Sequence, residues 1–325
     1  MSQVSINLVT WNAERYIENC LRSVLNQTFQ DFSILIIDNG STDQTLALLS
    51  ERFPQIKIIT HKENLGFAKA HNQAIHWTNS DYVLCLNQDV VLEPNFLSEL
   101  IVFMDSHPLA GAVTGKILRL QDNQETKYID SVGLKIFKSF RVVDQGTAEV
   151  DEGQYDIAEE VFGVSGAVPL YRRKALEEIV LQQEFFDESF FSYKEDVDLS
   201  IRLRIGGWQI WRAPSGIAYH DRTVTTPLSR ETKAMIVKNR RRKSRFANFH
   251  SYRNHLYFLI KAAPKLSFSI FFYELGKFLY VLFFESSTLR AWKDILKNWK
   301  SLAVKRKIIW KNKKVEAGEI EKWLS

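Results

Sequence analysis

Cysteine is nearly absent: Cys20 and Cys85 are the only two in 325 residues. Cys20 falls in a helical apolar pattern and Cys85 in a strand pattern. That excludes a disulfide framework and points to two buried thiols in a reducing compartment. The N-terminus lacks a basic start, an apolar block and a cleavage site, so a cleaved secretion signal is not expected and a cytoplasmic location is. An uninterrupted membrane span is also missing. Leu266 to Phe284 is nineteen residues long, but Glu274 and Lys277 lie inside it, which favours a surface-lying or re-entrant helix over one that crosses the membrane. There is no internal repeat and no low-complexity tract. No nucleic-acid-binding module is visible, and nucleic acid is not an expected partner.

What is present is a folded chain, 45% hydrophobic and 25% charged, with room for one large domain or two. The net charge of +5 is unevenly spread. The first two hundred residues are roughly balanced and the C-terminal third is strongly basic. Lys238 to Arg245 holds six Lys or Arg in eight positions, and Lys293 to Lys314 has nine basic residues against one acid. The composition changes around Thr226 to Arg240. The expected division is therefore 1–230, in halves 1–115 and 116–230, followed by a basic, aromatic-rich helical extension over 231–325. That extension suits either an anionic membrane face or a helical hairpin packed on the preceding domain.

The chain is organised around Ser33 to Asn87. Ser33-Ile34-Leu35-Ile36-Ile37 is a short apolar run ending at Asp38, which reads as a strand buried on both faces of a parallel sheet. Strands are also expected at Val4–Val9, Ile56–Thr60, Tyr82–Leu86, Ala112–Leu120 and Val161–Leu170, with a last strand pair over Trp208–Tyr219. Helices are expected at Glu14–Asn26, Gln44–Arg52, Ala68–Trp77, Asn95–Met104 and Arg172–Val180, and from Glu195 to the Gly206-Gly207 stop. Residues 121–158 are polar and read as a loop or hairpin insertion. The alternation of strands and helices predicts an α/β fold with a largely parallel sheet. Such sheets bind ligands at the carboxyl ends of their strands. Two of these ends carry acids, Asp38-Asn39-Gly40-Ser41-Thr42-Asp43 and Asn87-Gln88-Asp89, so a nucleotide and its metal are expected there.

Six motifs stand in order: Val9-Thr10-Trp11-Asn12, Asp38 to Asp43, Asn64-Leu65-Gly66-Phe67-Ala68-Lys69-Ala70-His71-Asn72, Leu86-Asn87-Gln88-Asp89, Ser165-Gly166-Ala167 and Glu195-Asp196-Val197-Asp198-Leu199. Together, over about residues 4–225, the chain resembles family 2 glycosyltransferases of the GT-A fold, and within them the rhamnosyltransferase-like branch. The resemblance implies a single Rossmann-like mixed sheet flanked by helices, with 1–115 as the nucleotide-sugar half and 116–230 as the acceptor half. It implies inverting transfer of a sugar from a nucleotide diphosphate sugar, dTDP- or UDP-linked, to a hydroxyl of a glycan or lipid-linked acceptor, with Mg²⁺ or Mn²⁺.

Each candidate residue has a plainer role beside the functional one. Asp38 either caps a helix or, as the resemblance implies, accepts from the nucleotide base in a pocket completed by Thr10, Trp11 and Asn12. Asp43 reads as a helix-start acid. Asn64 and Asn72 flank the Gly66 turn as cap and surface amide, or approach the ribose and diphosphate. Asn87 and Gln88 belong to the nucleotide side. Asp89 is the metal candidate, because a departing diphosphate needs a Lewis acid or fixed cations. The family pattern of acid, any residue, acid has Asn87 at its first position here, leaving one carboxylate. His220 closes the last strand, either as a structural residue or as a second metal ligand. Asp196 is the candidate general base, since an attacking hydroxyl must lose its proton, and Glu195 is its supporting acid. Its plainer role is a first-turn acid. Asp198 and Trp208 are acceptor-side candidates, and Trp208, like Trp11, also reads as packing. Arg202 and Arg204 pair with these acids or with phosphate. The rivals are a nucleotide-sugar-binding protein without catalysis, supported by Asn87, and a nucleotidyltransferase. The latter calls for a glycine-rich basic loop after the first strand, where Trp11-Asn12-Ala13-Glu14 stands instead.

Overall fold

The computed structural model describes residues 2–121, 124–222 and 244–325. The N-terminal half alternates as the pattern predicts. Strands β1 (Val4–Thr10), β2 (Phe32–Asp38), β3 (Lys57–Thr60) and β4 (Tyr82–Asn87) alternate with helices α1 (Ile17–Leu25), α2 (Thr45–Arg52) and α3 (Phe67–Trp77). The apolar residues of α1 recur at helical spacing, and Ile17, Cys20, Leu21 and Val24 are buried on one side. The free thiols of Cys20 and Cys85 are both buried, and burial pushes both up. β1 runs parallel to β2 and β4, and β2 to β3. Register positions the site: Thr10 pairs with Asp38 and Val9 with Asn87, so three strand ends arrive at one level.

The second half makes the sheet mixed. It comprises β5 (Val90–Leu92), α4 (Phe96–Ser106), β6 (Ala110–Gln121), β7 (Gln124–Ser131), β8 (Leu134–Ile136), β9 (Val142–Asp144), β10 (Glu159–Glu160), β11 (Leu170–Arg172), α5 (Arg173–Glu178), α6 (Glu195–Ile205) and β12 (Gln209–His220). The sheet order is β10-β12-β6-β11-β4-β1-β2-β3, with β5 on β12 and β7 on β6. β11 is antiparallel to both β4 and β6 and joins the two halves into one sheet.

Three expectations change. The polar stretch over 121–158 holds more strand than its pattern shows, because the first half of β7 faces outward and carries no alternation; β8 and β9 form a separate hairpin. Most of Val161 to Leu170 is irregular, leaving only β11. There Gly163 lets the backbone lie against α6, and an added Cβ would meet Ser200 Oγ at 2.5 Å. The strand pair expected over Trp208–Tyr219 is one long strand, β12, whose register breaks between Arg212 and Ile217. Pro214, which lacks a ladder donor, and Gly216 stand in that break.

Beyond residue 244 lie α7 (Arg245–Ala262), α8 (Phe268–Phe284), α9 (Arg290–Lys311) and α10 (Ala317–Glu321). α7 and α9 pack on each other and on α6 through a buried ionic cluster. Lys261, fully buried on α7, pairs with Asp187 and, at 2.6 Å, with Asp198. Lys305 on α9 reaches Asp187 at 2.6 Å and Glu184 at 2.8 Å, and Arg202 reaches Asp198 at 2.9 Å. Charges buried this deeply are tolerated only when paired. α8 differs: Ile270 and Val281 are its only buried side chains, while Phe268, Phe271, Phe272, Leu275, Leu279 and Phe283 face outward. Among the described residues no helix is long and apolar enough to cross a membrane. The composition break at Thr226 to Arg240, and Lys238 to Lys243 of the basic run, lie outside the described residues.

Candidate active site

The ends of β1 and β2 interlock as a shelf. Asp38 is fully buried, and its carboxylate accepts from the Gly40 and Ser41 amides at 3.1 and 2.9 Å and from the Ser41 and Thr10 hydroxyls at 2.5 and 3.2 Å. These bonds hold a turn in which Gly40 takes φ +78°. Asn12, at φ +50°, donates its amide to Ser41 Oγ at 2.9 Å and accepts from the Thr42 amide at 2.9 Å. Gln88 clamps the Trp11 backbone both ways, accepting at 2.7 Å and donating at 3.2 Å. The Trp11 ring is half exposed. Asp43 accepts from the Thr45 amide and hydroxyl at the start of α2, the helix-start position expected. What Asp38 does directly is shape this shelf.

The next turn is set by Asn64, whose Oδ1 accepts from the Gly66 amide at 2.8 Å. Gly66 takes φ +86° beneath Phe191, whose carbonyl oxygen would lie 2.6 Å from an added Cβ. Asn39 ties the two turns by donating to the Gly66 carbonyl at 3.1 Å. Asn72 stays away from them. It is buried and exchanges hydrogen bonds with the Phe186 backbone at 2.8 Å each way.

β5 and β12 bring Asp89 and His220 together. His220 Nε2 lies 3.4 Å from Asp89 Oδ1, and its Nδ1 lies 2.9 Å from Asp130 Oδ2. Arg222 donates to Asp130 Oδ2 at 2.9 Å and to Asp144 Oδ2 at 2.8 Å. Burial alone would lower the His220 pKa; the Asp89 and Asp130 carboxylates outweigh it and push it up to about 10. Burial likewise opposes ionisation of Asp130, yet Arg222 and His220 hold it down to about 2. With Nδ1 bound to Asp130, Nε2 is the nitrogen turned toward Asp89, and a cation held between them would have to displace the proton that this raised pKa keeps on Nε2. Donors 3.4 Å apart fit neighbouring positions on one divalent cation, whose adjacent oxygens stand about 3 Å apart. Among the described residues no group of three or more His, Cys, Asp or Glu could hold a metal. The pair suits an ion that keeps places for phosphate and water.

Glu195 and Asp196 open α6. Asp196 accepts from the Gly166 amide at 3.0 Å and the Val197 amide at 2.7 Å. Burial raises its carboxyl above the usual aspartate range, against the pull of Lys194. Glu195 is pushed up to about 8, by burial first and by Asp196 second, and its Oε2 meets no hydrogen-bond partner among the described residues. Burial raises both of these adjacent carboxyls, which places them in the range suited to proton handling.

A cleft of about 380 Å³ opens between the end of β4, His220 and the start of α6; Asp89 and the predicted residues Thr10, Trp11, Asn12, Asp38, Asn64, Gly66 and Gln88 do not line it. It is lined by Asn87, Asp144, Ser165, Gly166, Ala167, Tyr193, Lys194, Glu195, Asp196, His220 and Arg222, with Ala247 and Ser251 of α7. The structure thus brings Asn87, His220, Glu195 and Asp196 into one space. It does not bring Asp198 or Trp208 there. Two residues along a helix is a rotation of about 200°, and Asp198 points into the ionic cluster instead. Trp208 follows the far end of α6, about 16 Å from its first turn. It lines a separate hollow with Arg204 and Trp323 and donates to Glu178 at 3.2 Å. Arg202 and Arg204 are buried against Asp198 and Glu160, so they pair with acids and leave phosphate to other groups. Sequence reasoning missed Asp130, Asp144 and Arg222. The two acids lie in strands whose polar text hides them. Arg222 stands two positions after His220, and that proximity was its only signal.

A family model described as "Glycosyl transferase family 2" matches residues 5–180. The chain is 29% identical over 238 residues to an N-acetylglucosaminyl-diphospho-decaprenol L-rhamnosyltransferase of Mycobacterium tuberculosis, covering 67% of this chain and 76% of that protein. A chondroitin synthase of Escherichia coli is 39% identical over 95 residues, 28% of this chain and 14% of that one. Among solved structures, S. aureus TarS 1–349 in complex with UDP-GlcNAc aligns with a TM-score of 0.57 at 17% identity, covering 94% of this chain and 90% of that one. GalNAc-T7 with UDP, GalNAc and Mn²⁺ aligns with a TM-score of 0.56 at 12% identity, covering 90% and 58%.

Proposed function

The chain belongs to glycosyl transferase family 2, and from that premise we propose that it moves rhamnose from dTDP-rhamnose, with inversion, onto a hydroxyl of a lipid-linked glycan or growing surface polysaccharide. Its fold is GT-A and its chemistry is sugar transfer; its likeness runs to the rhamnosyltransferase-like branch. The relative from M. tuberculosis, by its name a rhamnosyltransferase acting on a lipid-linked N-acetylglucosamine, supports the donor and acceptor classes.

The observation that carries the reading is the single cleft lined by Asn87 and His220 together with Glu195 and Asp196. The nucleotide lies on the shelf of Thr10, Trp11, Asn12, Asp38 and Gln88, under the Asn64–Gly66 turn. Asp89 and His220 would hold a Mg²⁺ or Mn²⁺ ion, which when bound offsets the charge of the departing diphosphate. Asp196 takes the proton of the acceptor hydroxyl as that oxygen attacks the anomeric carbon, and Glu195 supports it. Direct displacement places the base across the sugar from the diphosphate, so the anomeric configuration inverts and no covalent sugar forms on the enzyme. The outward phenylalanines of α8, beside the Lys-rich α9, seat the helices on an anionic membrane face where lipid-linked acceptors reside. Residues 1–230 act as the transferase domain, and 231–325 as the extension that makes this contact.

The test is a donor panel, with dTDP-rhamnose and UDP-linked sugars offered to an N-acetylglucosaminyl-diphospho-lipid in the presence of Mn²⁺, and products read by mass and by the anomeric coupling. Transfer of a deoxyhexose with inverted configuration is expected. Turnover of UDP-sugars alone would overturn the donor, and a retained anomer would overturn the mechanism.

A further inference from the structure

Asn254 sits on the inner face of α7 with no solvent exposure. Its Nδ2 reaches three backbone carbonyls, those of Phe190 at 2.8 Å, Ser192 at 2.8 Å and Tyr193 at 2.7 Å. An amide nitrogen has two protons to give, so this donor is saturated. Its neighbour Arg253 donates to the Ser189 and Phe190 carbonyls at 3.0 and 3.1 Å, and to Asn254 Oδ1 at 3.0 Å, which fixes the amide's orientation. Two turns along the same face, the Lys261 ammonium stands 4.5 Å from the centre of the Phe190 ring.

The segment held this way is strained. Phe191, Tyr193 and Lys194 take φ of +64°, +72° and +74°, a region that side-chain-bearing L-residues disfavour. Three such residues in four positions persist only where surrounding groups over-determine them. Glu195 and Asp196 follow immediately. At the other end, the Phe191 carbonyl accepts from the Ala68 amide at 3.3 Å beside the Gly66 turn. One loop therefore connects the acid pair to the donor-side turn, and its carbonyls are gripped from α7.

We propose that Asn254, backed by Arg253, is a positioning residue for the transfer reaction: it holds the Phe190, Ser192 and Tyr193 carbonyls in their strained path and so sets Glu195 and Asp196 in the cleft. The helices after residue 244 are then part of the catalytic unit as well as a membrane contact. The inference rests on the role proposed above for Asp196, and the experiment separates the two.

Turnover of dTDP-rhamnose with the lipid-linked acceptor, calorimetric affinity for dTDP and the melting temperature are measured on Asn254→Ala, Arg253→Met and Asp196→Asn. Misplacing a catalytic group by about 1 Å costs roughly 100-fold, so Asn254→Ala should lose about 10- to 100-fold in kcat with little change in dTDP affinity. Arg253 is only partly buried, so Arg253→Met decides if Asn254→Ala does not fold; its kcat should fall by a smaller factor in the same direction. A lower melting temperature with unchanged kcat per folded molecule in these variants would make Asn254 merely structural and overturn the inference. An active Asp196→Asn would overturn the reading of the acid, and this inference with it. An inactive Asp196→Asn beside normal Asn254→Ala and Arg253→Met would overturn this inference alone.

Discussion

Replacing Lys261 with Met removes a cation held between two fully buried carboxylates, Asp187 and Asp198. Removing one partner of a buried pair costs about 3–5 kcal/mol, because a charge is left without compensation. Here neither acid is left alone: Asp187 keeps Lys305 at 2.6 Å and Asp198 keeps Arg202 at 2.9 Å. The expected loss is therefore at the low end, about 3 kcal/mol. The pH dependence adds a second reading. Burial would raise the Asp187 carboxyl, but Lys261 and Lys305 together hold it well below the usual carboxylate range. A folded-state pKa below the unfolded one contributes stability above the unfolded value, near 3.9, and loses it as pH falls further. The deficit of Lys261→Met should be full at pH 7 and shrink below about pH 4. Urea unfolding of both proteins from pH 7 to pH 3 measures this. A loss below about 1 kcal/mol, or a deficit independent of pH, would refute the reasoning.

Three further outcomes are expected. Gly66→Ala forces a side chain into φ +86° against Phe191, costing about 1–2 kcal/mol for the backbone and 1–3 for the overpacking; an unshifted denaturation midpoint would show that the turn yields freely. Transfer should fall with EDTA and return with Mn²⁺ or Mg²⁺, and an Asp89→Ala variant with full, EDTA-insensitive turnover would remove the metal from the account. Binding to anionic vesicles should weaken steeply with salt and be lost in a Phe271→Asp, Phe272→Asp double variant, and flotation equal to the parent's would show that α8 is not the anchor.

The N-terminal half was legible because its physics is local. Leu35 to Ile37 are buried by a parallel sheet whatever follows, and the Asp38 and Asn87 ends fall level because β1 pairs with both neighbours. The places of Asp89, Glu195 and Asp196 in the fold were legible because the first follows the apolar run of β4 and the other two open the helix α6. What stayed hidden depends on long-range partners. Asp130 and Asp144 acquire meaning only when Arg222 and His220 arrive from β12 and beyond. The helix from Glu195 could be read, yet which of its acids faces the cleft could not, because Asp198 turns toward Lys261 on α7, more than sixty positions away. Asn254 gives no local signal, since its partners are backbone carbonyls on a loop made recognisable only by its φ angles.

The central claim is that Asp196 takes the acceptor's proton in a cleft whose nucleotide side is separate from it. Asp196→Asn keeps the shape and the reach of the side chain but cannot accept that proton. Turnover with acceptor and calorimetric affinity for dTDP, measured on this one variant, test the claim directly. The account predicts a kcat lower by roughly 10²–10⁴-fold with dTDP affinity almost unchanged. Near-normal turnover, or turnover and nucleotide affinity lost together, would contradict it.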